Sequence, residues 1–238
     1  MTLRSGRNAS IFINGSDLSG DLNEVNPTSE QELADVTAFG NVGHTFYPGL
    51  SKDKVTIQAL YNNTEKAVFE GLTQLPTGYA LMIAFGSALG SPAYATNECM
   101  LITNNMKTVV TDVNRATINL DVDNYPFEPC VLLTTGKQTI VASGQGSSVN
   151  NGSASATTGG AAYLQIFSVS TGGTLTVSVQ DSNTGAFAGE QTTTCTFAAA
   201  STSGTQRIGI TNQIQQYTRA VWVDTTSTCT FALALNHK

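Results

Sequence analysis

Apolar and polar residues alternate with a period of two along most of this chain. In RATINLDVD, residues 115 to 123, Ala116, Ile118, Leu120 and Val122 fall on one side, and Arg115, Thr117, Asn119, Asp121 and Asp123 on the other. Successive side chains of a strand point to opposite faces, so this is the pattern of a half-buried strand. The same reading fits KVTIQAL (54–60), TLTVSVQ (174–180), QYTRAVWV (216–223) and CTFALAL (229–235). Turn residues punctuate these runs: Asn14-Gly15 inside IFINGSDL, Gly172-Gly173, Asn183-Thr184-Gly185 and Ser203-Gly204. Asn-Gly between residues of high β-propensity predicts a hairpin, because both central residues of its turn must accept positive φ. Many short strands separated by such turns predict a sandwich or barrel. One helix is predicted, over NNTEKAVFEGL (62–72): an Asn or Thr can cap it, Glu65 suits the first turn, and Val68, Phe69 and Leu72 share a face. Pro76 sets where it must have ended.

Composition divides the chain. All six prolines lie within the first 129 residues, and residues 1–125 carry 13 Asp or Glu against 7 Lys or Arg, whereas 126–238 carry 4 of each. The expected architecture is therefore all-β, with two tandem β-sandwich or barrel domains, 1–125 and 126–238, and one short flanking helix. Between Gln138 and Gln180 there is no charged residue, and 142–162 is rich in Gly, Ser and Thr. As a linker that stretch would be flexible; the hairpin chemistry of VNNGSAS favours a strand and long loop within the second domain.

Charge and chemistry narrow the function. Only 12% of residues are charged, about half the usual share of roughly 25%. Such a surface is covered by Ser, Thr, Asn, Gln and Gly, or by other protein. The net charge of −6 comes with no basic stripe of the kind that supplies affinity for nucleic acid. The opening MTLRSGRN lacks the apolar run of a secretory signal, and no window approaches a membrane span, which predicts a chain made in a cytoplasm without a membrane partner. Cys99, Cys130, Cys195 and Cys229 are widely spaced and read as buried small hydrophobes, with Cys195 and Cys229 possible neighbours on paired strands.

No catalytic site is expected. The histidines are His44, in a Gly-rich loop, and His237, beside the C-terminus, and there is no G-x-S-x-G elbow or phosphate loop. DVDN (121–124) and DSNTG (181–185) lack the full spacing of a calcium loop, so they read as strand ends and turns, and neither metal nor cofactor is expected. Paired carboxylates for glycoside hydrolysis stay open, but the chain has a single tryptophan, Trp222, to serve as a sugar platform.

The order of motifs adds a resemblance. FINGSDLSGDLNEV (12–25), then ELADVTAFG (32–40), then YPGLSKDKVTIQALYN (47–62) and a short helix resembles the N-terminal barrel of the tail tube proteins of long-tailed bacteriophages. The likeness is good over about residues 8–75 and thins towards 125. GGAAYLQIFSV, LTVSVQDS and QYTRAVWV resemble, more weakly, a domain fused in some such proteins.

The resemblance implies a non-enzymatic virion protein, made in the host cytoplasm, that assembles with itself into stacked rings through which DNA passes without specific binding. It also implies tape measure and tail terminator proteins as partners. The loop 39–50, FGNVGHTFYPGL, becomes the candidate contact between rings, with Phe39, His44, Phe46, Tyr47 and Leu50 as its residues. Asp121 and Asp123 become the candidate acidic lining, which would repel phosphates. Trimeric, pseudo-hexameric rings are expected, because the second half has enough strands for a full barrel of its own; hexameric rings would follow if only the first half were tube-like. Two other readings remain: a capsid decoration or baseplate structural protein, and a carbohydrate-binding receptor-recognition module built on the C-terminal half and Trp222.

Overall fold

A computed structural model describes residues 9–20, 22–39, 42–60, 78–107, 115–123, 126–155, 159–225 and 228–237. The helix expected over 62–72 lies outside the described residues. Those described form an all-β protein. The first half contributes β1 (Ser10–Ile13), β2 (Ser16–Asp17), β3 (Leu22–Asp35), β4 (Phe46–Leu60), β5 (Tyr79–Ala84), β6 (Pro92–Lys107) and β7 (Arg115–Val122). The second contributes β8 (Glu128–Leu132), β9 (Gln138–Ile140), β10 (Gly144–Gln145), β11 (Val149–Asn150), β12 (Gly160–Val169), β13 (Leu175–Ser182), β14 (Thr192–Thr196), β15 (Gly204–Ile210), β16 (Tyr217–Asp224) and β17 (Cys229–His237).

Every pairing is antiparallel. In the first half the strands run β2-β1-β5-β6-β7-β4-β3, and β6 also pairs β8, through which the same sheet continues into β17, β12 and β15. A second sheet of five strands is built from β14, β13 and β16, with β10 and β11 both on β16. The charge-free stretch after Gln138 is thus woven into the second half by β10 and β11.

Three clusters of buried side chains explain the arrangement. Ile11, Val55, Ile57, Leu81, Ile118 and Leu120 fill the curled sheet of the first half. Leu164, Ile166, Phe231 and Leu233 of one sheet meet Val177, Val179 and Trp222 of the other inside the second half. A third cluster joins the halves: Phe12, Met82, Ala93, Leu132, Phe167 and Ala234. The continuous sheet therefore has both faces covered where the halves meet, and its strands there read as near-continuous apolar runs. CTFALAL differs from its sequence reading for this reason. Its alternation is of size: Phe231, Leu233 and Leu235 enter the core of the second half, and Ala232 and Ala234 the shared one.

The odd-numbered face of β12 carries the polar keys of that junction. Gln165 accepts a hydrogen bond from the Gly15 N–H (2.8 Å) and donates to the Ala80 carbonyl (3.1 Å). Tyr163 donates to buried Glu128, and Arg207 donates to both, at 2.9 Å to the Tyr163 hydroxyl and 3.1 Å to Glu128 Oε2. Burial, reinforced by the neighbouring carboxylate, drives the Tyr163 pKa upwards, so the hydroxyl stays a donor. The four cysteines are free and buried, Cys195 on β14 and Cys229 on β17 in different sheets. Burial pushes the thiols of Cys99 and Cys195 up to about 12 and about 11, which keeps them unreactive.

Candidate assembly surface

β3 and β4, of 14 and 15 residues, share the longest paired register among the described residues, from Leu22↔Ala59 out to Asp35↔Phe46. β7 supports β4 only over Lys54–Leu60. Beyond Lys54 the two strands have only each other among the described residues, and they leave the body as a two-stranded ribbon.

Asp53 marks the point of departure. Its buried carboxylate accepts from the Ser29 hydroxyl on β3 and from the Phe127 N–H at 2.7 Å, which pins the ribbon to the main body. At the far end Asp35 ties the root of the loop. It accepts from the Thr37 hydroxyl and from the Thr37 N–H at 2.9 Å, and it lies 3.0 Å from His44 Nδ1. The Thr45 N–H donates to Thr37 Oγ1 at 2.9 Å, and the His44 ring stacks on Phe46. The hydrogen bonds from Thr37, with a smaller one from His44, hold the Asp35 carboxyl below its ordinary range.

Loop 39–50 thus brings its expected residues to one projecting end. Phe39 is fully exposed, Tyr47 is 68% and Leu50 82% exposed, and Phe46 and His44 are exposed beside them. Phe46 and Tyr47 take opposite faces of β4, and the ladder shifts register between Pro48 and Ser51, around Leu50. Leu33, Val36 and Val42 are also exposed at this end, and sequence reasoning did not single them out. No local pattern marked them, because only the tertiary structure leaves both faces of this end of β3 in solvent. Several large apolar side chains are thus exposed on one protrusion, the kind of surface that marks interaction sites in soluble proteins.

The other candidate face has a mixed charge. Asp121 is half-buried and sits in register between Lys54 and Met100, while Asp123 is exposed and its N–H bonds the Glu98 carbonyl at 2.9 Å. Rows of polar residues cross the sheet beside them. Thr56 donates to Asn119 (2.9 Å), Asn119 donates to Thr103 (2.6 Å), and Gln58 donates to Glu24 (2.9 Å). Asp121 lies opposite Lys54, and at the other end of the strand Arg115 lies opposite Lys107. The side opposite carries the core residues Ala116, Ile118 and Leu120.

Asp35, His44 and Thr37 look like the parts of a catalytic triad but are wired otherwise. Carboxylate and hydroxyl both face the same ring nitrogen, Nδ1, and the hydroxyl donates directly to the carboxylate. A relay needs base and orienting acid on opposite nitrogens. No group of three metal-ligating side chains occurs among the described residues. Asp181 of the DSNTG turn accepts from the Thr192 hydroxyl and the Gln215 N–H, which occupies it structurally. Trp222 is buried against Phe231 and donates from Nε1 to the Ala142 carbonyl at 3.0 Å, so its ring is no platform for a sugar.

No family model and no curated protein matches the sequence. Among solved structures, the chain is similar to the tail tube of SPP1, with 12% identity and a TM-score of 0.45 over 52% of this chain and 78% of that one. It is similar to a chain of the native gene transfer agent virion, with 10% identity and a TM-score of 0.43 over 52% and 98%. SPP1 Dit, a hub adsorption protein of phages that infect Gram-positive hosts, overlaps 94% of this chain and 98% of its own, with 14% identity and a TM-score of 0.37.

Proposed function

We propose that this chain is a structural subunit of a bacteriophage tail tube, which assembles with itself into stacked rings around a channel for DNA. The β3–β4 ribbon carries the reading. An isolated pair of strands is marginal in water, and this one exposes Leu33, Phe39, Phe46, Tyr47 and Leu50 at its free end. Burial of that end against a neighbouring ring accounts for both features, and the motif order of residues 12–62 supports the same assignment. The low charge of the chain accords with a subunit largely covered by its neighbours.

In this reading Phe39, His44, Phe46, Tyr47 and Leu50 make the contact between rings. Asp121 and Asp123 stand on the face turned to the channel, where interleaved acids, amides and hydroxyls offer DNA no continuous row of cations. One ribbon per chain occurs among the described residues, so six chains closing a ring give six contacts to the next ring. A trimer with pseudo-six-fold symmetry would need a second ribbon from 126–238. Closed rotation stacked along an axis makes the tube. Tape measure and terminator proteins are the partners that such a tube requires.

The test is electron microscopy and sedimentation of the purified full chain at high concentration. Rings of six and tubes are expected from the wild type. Phe46→Ser with Tyr47→Ser is expected to melt as the wild type does and to remain unassembled. Tubes of normal length from the double variant would remove the ribbon as the joint. Discrete wild-type oligomers without tubes would favour a hub or decoration protein instead.

A further inference from the structure

The five-stranded sheet turns one face to the core of the second half and the other outwards. On the outward face Arg219 of β16 lies across from Gln180 of β13. Its Nε and Nη2 both donate to Gln180 Oε1, at 3.1 and 2.8 Å, and its Cζ lies 4.2 Å from the centroid of the Phe187 ring. Phe187 is buried and has φ of 59°. A non-glycine residue keeps that conformation only where its surroundings impose it, so the ring is a fixed shelf under the guanidinium.

The shelf and the amide orient this cation without neutralising it. Among the described residues Arg219 forms no ion pair, and the acids that neighbour Gln180 and Phe187 along the chain serve other donors. Asp181 is held by Thr192 and Gln215, and Glu190 accepts from the hydroxyls of Ser182 and Thr184. Burial lowers the Arg219 pKa, the direction expected of a cation without a counter-charge. Gln180 occupies the Nε/Nη2 edge. The Nη1/Nη2 edge, with two parallel N–H groups, has no protein acceptor among the described residues and is shaped for a carboxylate.

We propose that Arg219 is the recognition residue of a binding site for a carboxylate-bearing saccharide on the outward face of the five-stranded sheet. A phosphate polymer or nucleic acid takes several cations to hold. Here one cation stands beside the neutral amides and hydroxyls of Gln180, Ser178, Thr176 and Tyr217, the last bonded by Asn150 at 3.4 Å, with Val221 and Val223 on the same face. These groups suit sugar hydroxyls, and Arg219 suits the acid. The site faces away from Trp222 and is independent of the ribbon, so it stands whether or not the chain builds tubes.

Calorimetric titration of the full chain with tri-galacturonate, galactotriose, inorganic phosphate and a glutamate-rich peptide tests the site. Saturable binding of tri-galacturonate alone is expected. Arg219→Lys keeps the charge and loses the planar fork, and is expected to weaken binding about tenfold or more. Gln180→Glu gives Arg219 an internal carboxylate and is expected to abolish binding while the protein melts no lower than wild type. Failure of wild type to bind tri-galacturonate overturns the proposal. So does undiminished binding by either folded variant, or binding of galactotriose, phosphate or the peptide as strong as that of tri-galacturonate.

Discussion

Two hairpins in the first half use the same backbone chemistry and meet opposite fates. The β1–β2 hairpin is short and turns through Asn14-Gly15, with φ of 47° and 75° and the pairs Ile13↔Ser16 and Phe12↔Asp17 beside it. Its tip is inserted in the protein. The Gly15 N–H meets Gln165, the Asn14 side chain accepts from the Ala80 N–H at 2.8 Å, and Asp17 pairs with Lys137 at 2.7 Å. The β3–β4 hairpin is several times longer, yet its tip touches only itself among the described residues. Strand pairing alone therefore does not decide whether a hairpin is held. What decides is whether side chains at its end find a surface, and the first finds one within the chain.

The contrast breaks most sharply at Gly15. A Cβ there would lie 2.4 Å from the Ile166 carbonyl oxygen and 2.9 Å from the Gly204 nitrogen, at a positive φ. Gly15→Ala is expected to cost about 2–4 kcal/mol in chemical denaturation, from backbone strain and overpacking together. A Gly49→Ala change in the ribbon, with φ outside the positive region and its nearest neighbour at 3.1 Å, is the milder control.

Gln165→Leu comes next. It orphans the buried Gly15 N–H, for about 1–3 kcal/mol, and removes the bond to Ala80. Amide exchange at Gly15 should quicken selectively, and an unchanged rate would mean that the tip is held by something else.

Lys137→Met is smaller, at most about 1 kcal/mol, because the pair is partly exposed. Burial of Asp17 would raise its pKa, but the hydrogen bonds from Lys137 and Ser19 outweigh that and hold it below the ordinary 3.8. A folded-state pKa below the unfolded value means stability that is present above pH 3.8 and lost as pH falls through the lower value. The wild type should therefore lose its advantage over Lys137→Met in acid melts below that pH.

The smallest folding effect belongs to the ribbon end. Leu50→Ser should change stability by no more than about 0.5 kcal/mol, since Leu50 contacts solvent. Its effect should appear only as a shift of sedimentation towards unassembled chain. A large fall in melting temperature would place Leu50 in the subunit's own core.

Much of this was legible as pattern. Residues 115–123 display on β7 the alternation that the sequence predicts, and Asn14-Gly15 forms the expected turn. Both depend on neighbours within a few positions, where local sterics govern. CTFALAL was legible as a strand but not as a doubly buried one, because Ala232 and Ala234 are small enough to read as neutral until a second layer is known. Trp222 suggested a sugar platform only because its burial against Phe231 arises from the packing of one sheet on the other.

The amino-acid order by itself determined the strands, the turns, the apolar loop 39–50 and the poverty of charge, since each rests on backbone sterics or on composition. The tertiary structure alone decided which apolar residues stay outside and which polar ones go in. Gln165 reaches Gly15 across 150 positions and Arg207 reaches Glu128 across 79. No local rule encodes such pairs: a buried polar group is stable only when its partner is brought to it, and the packing of whole sheets brings it.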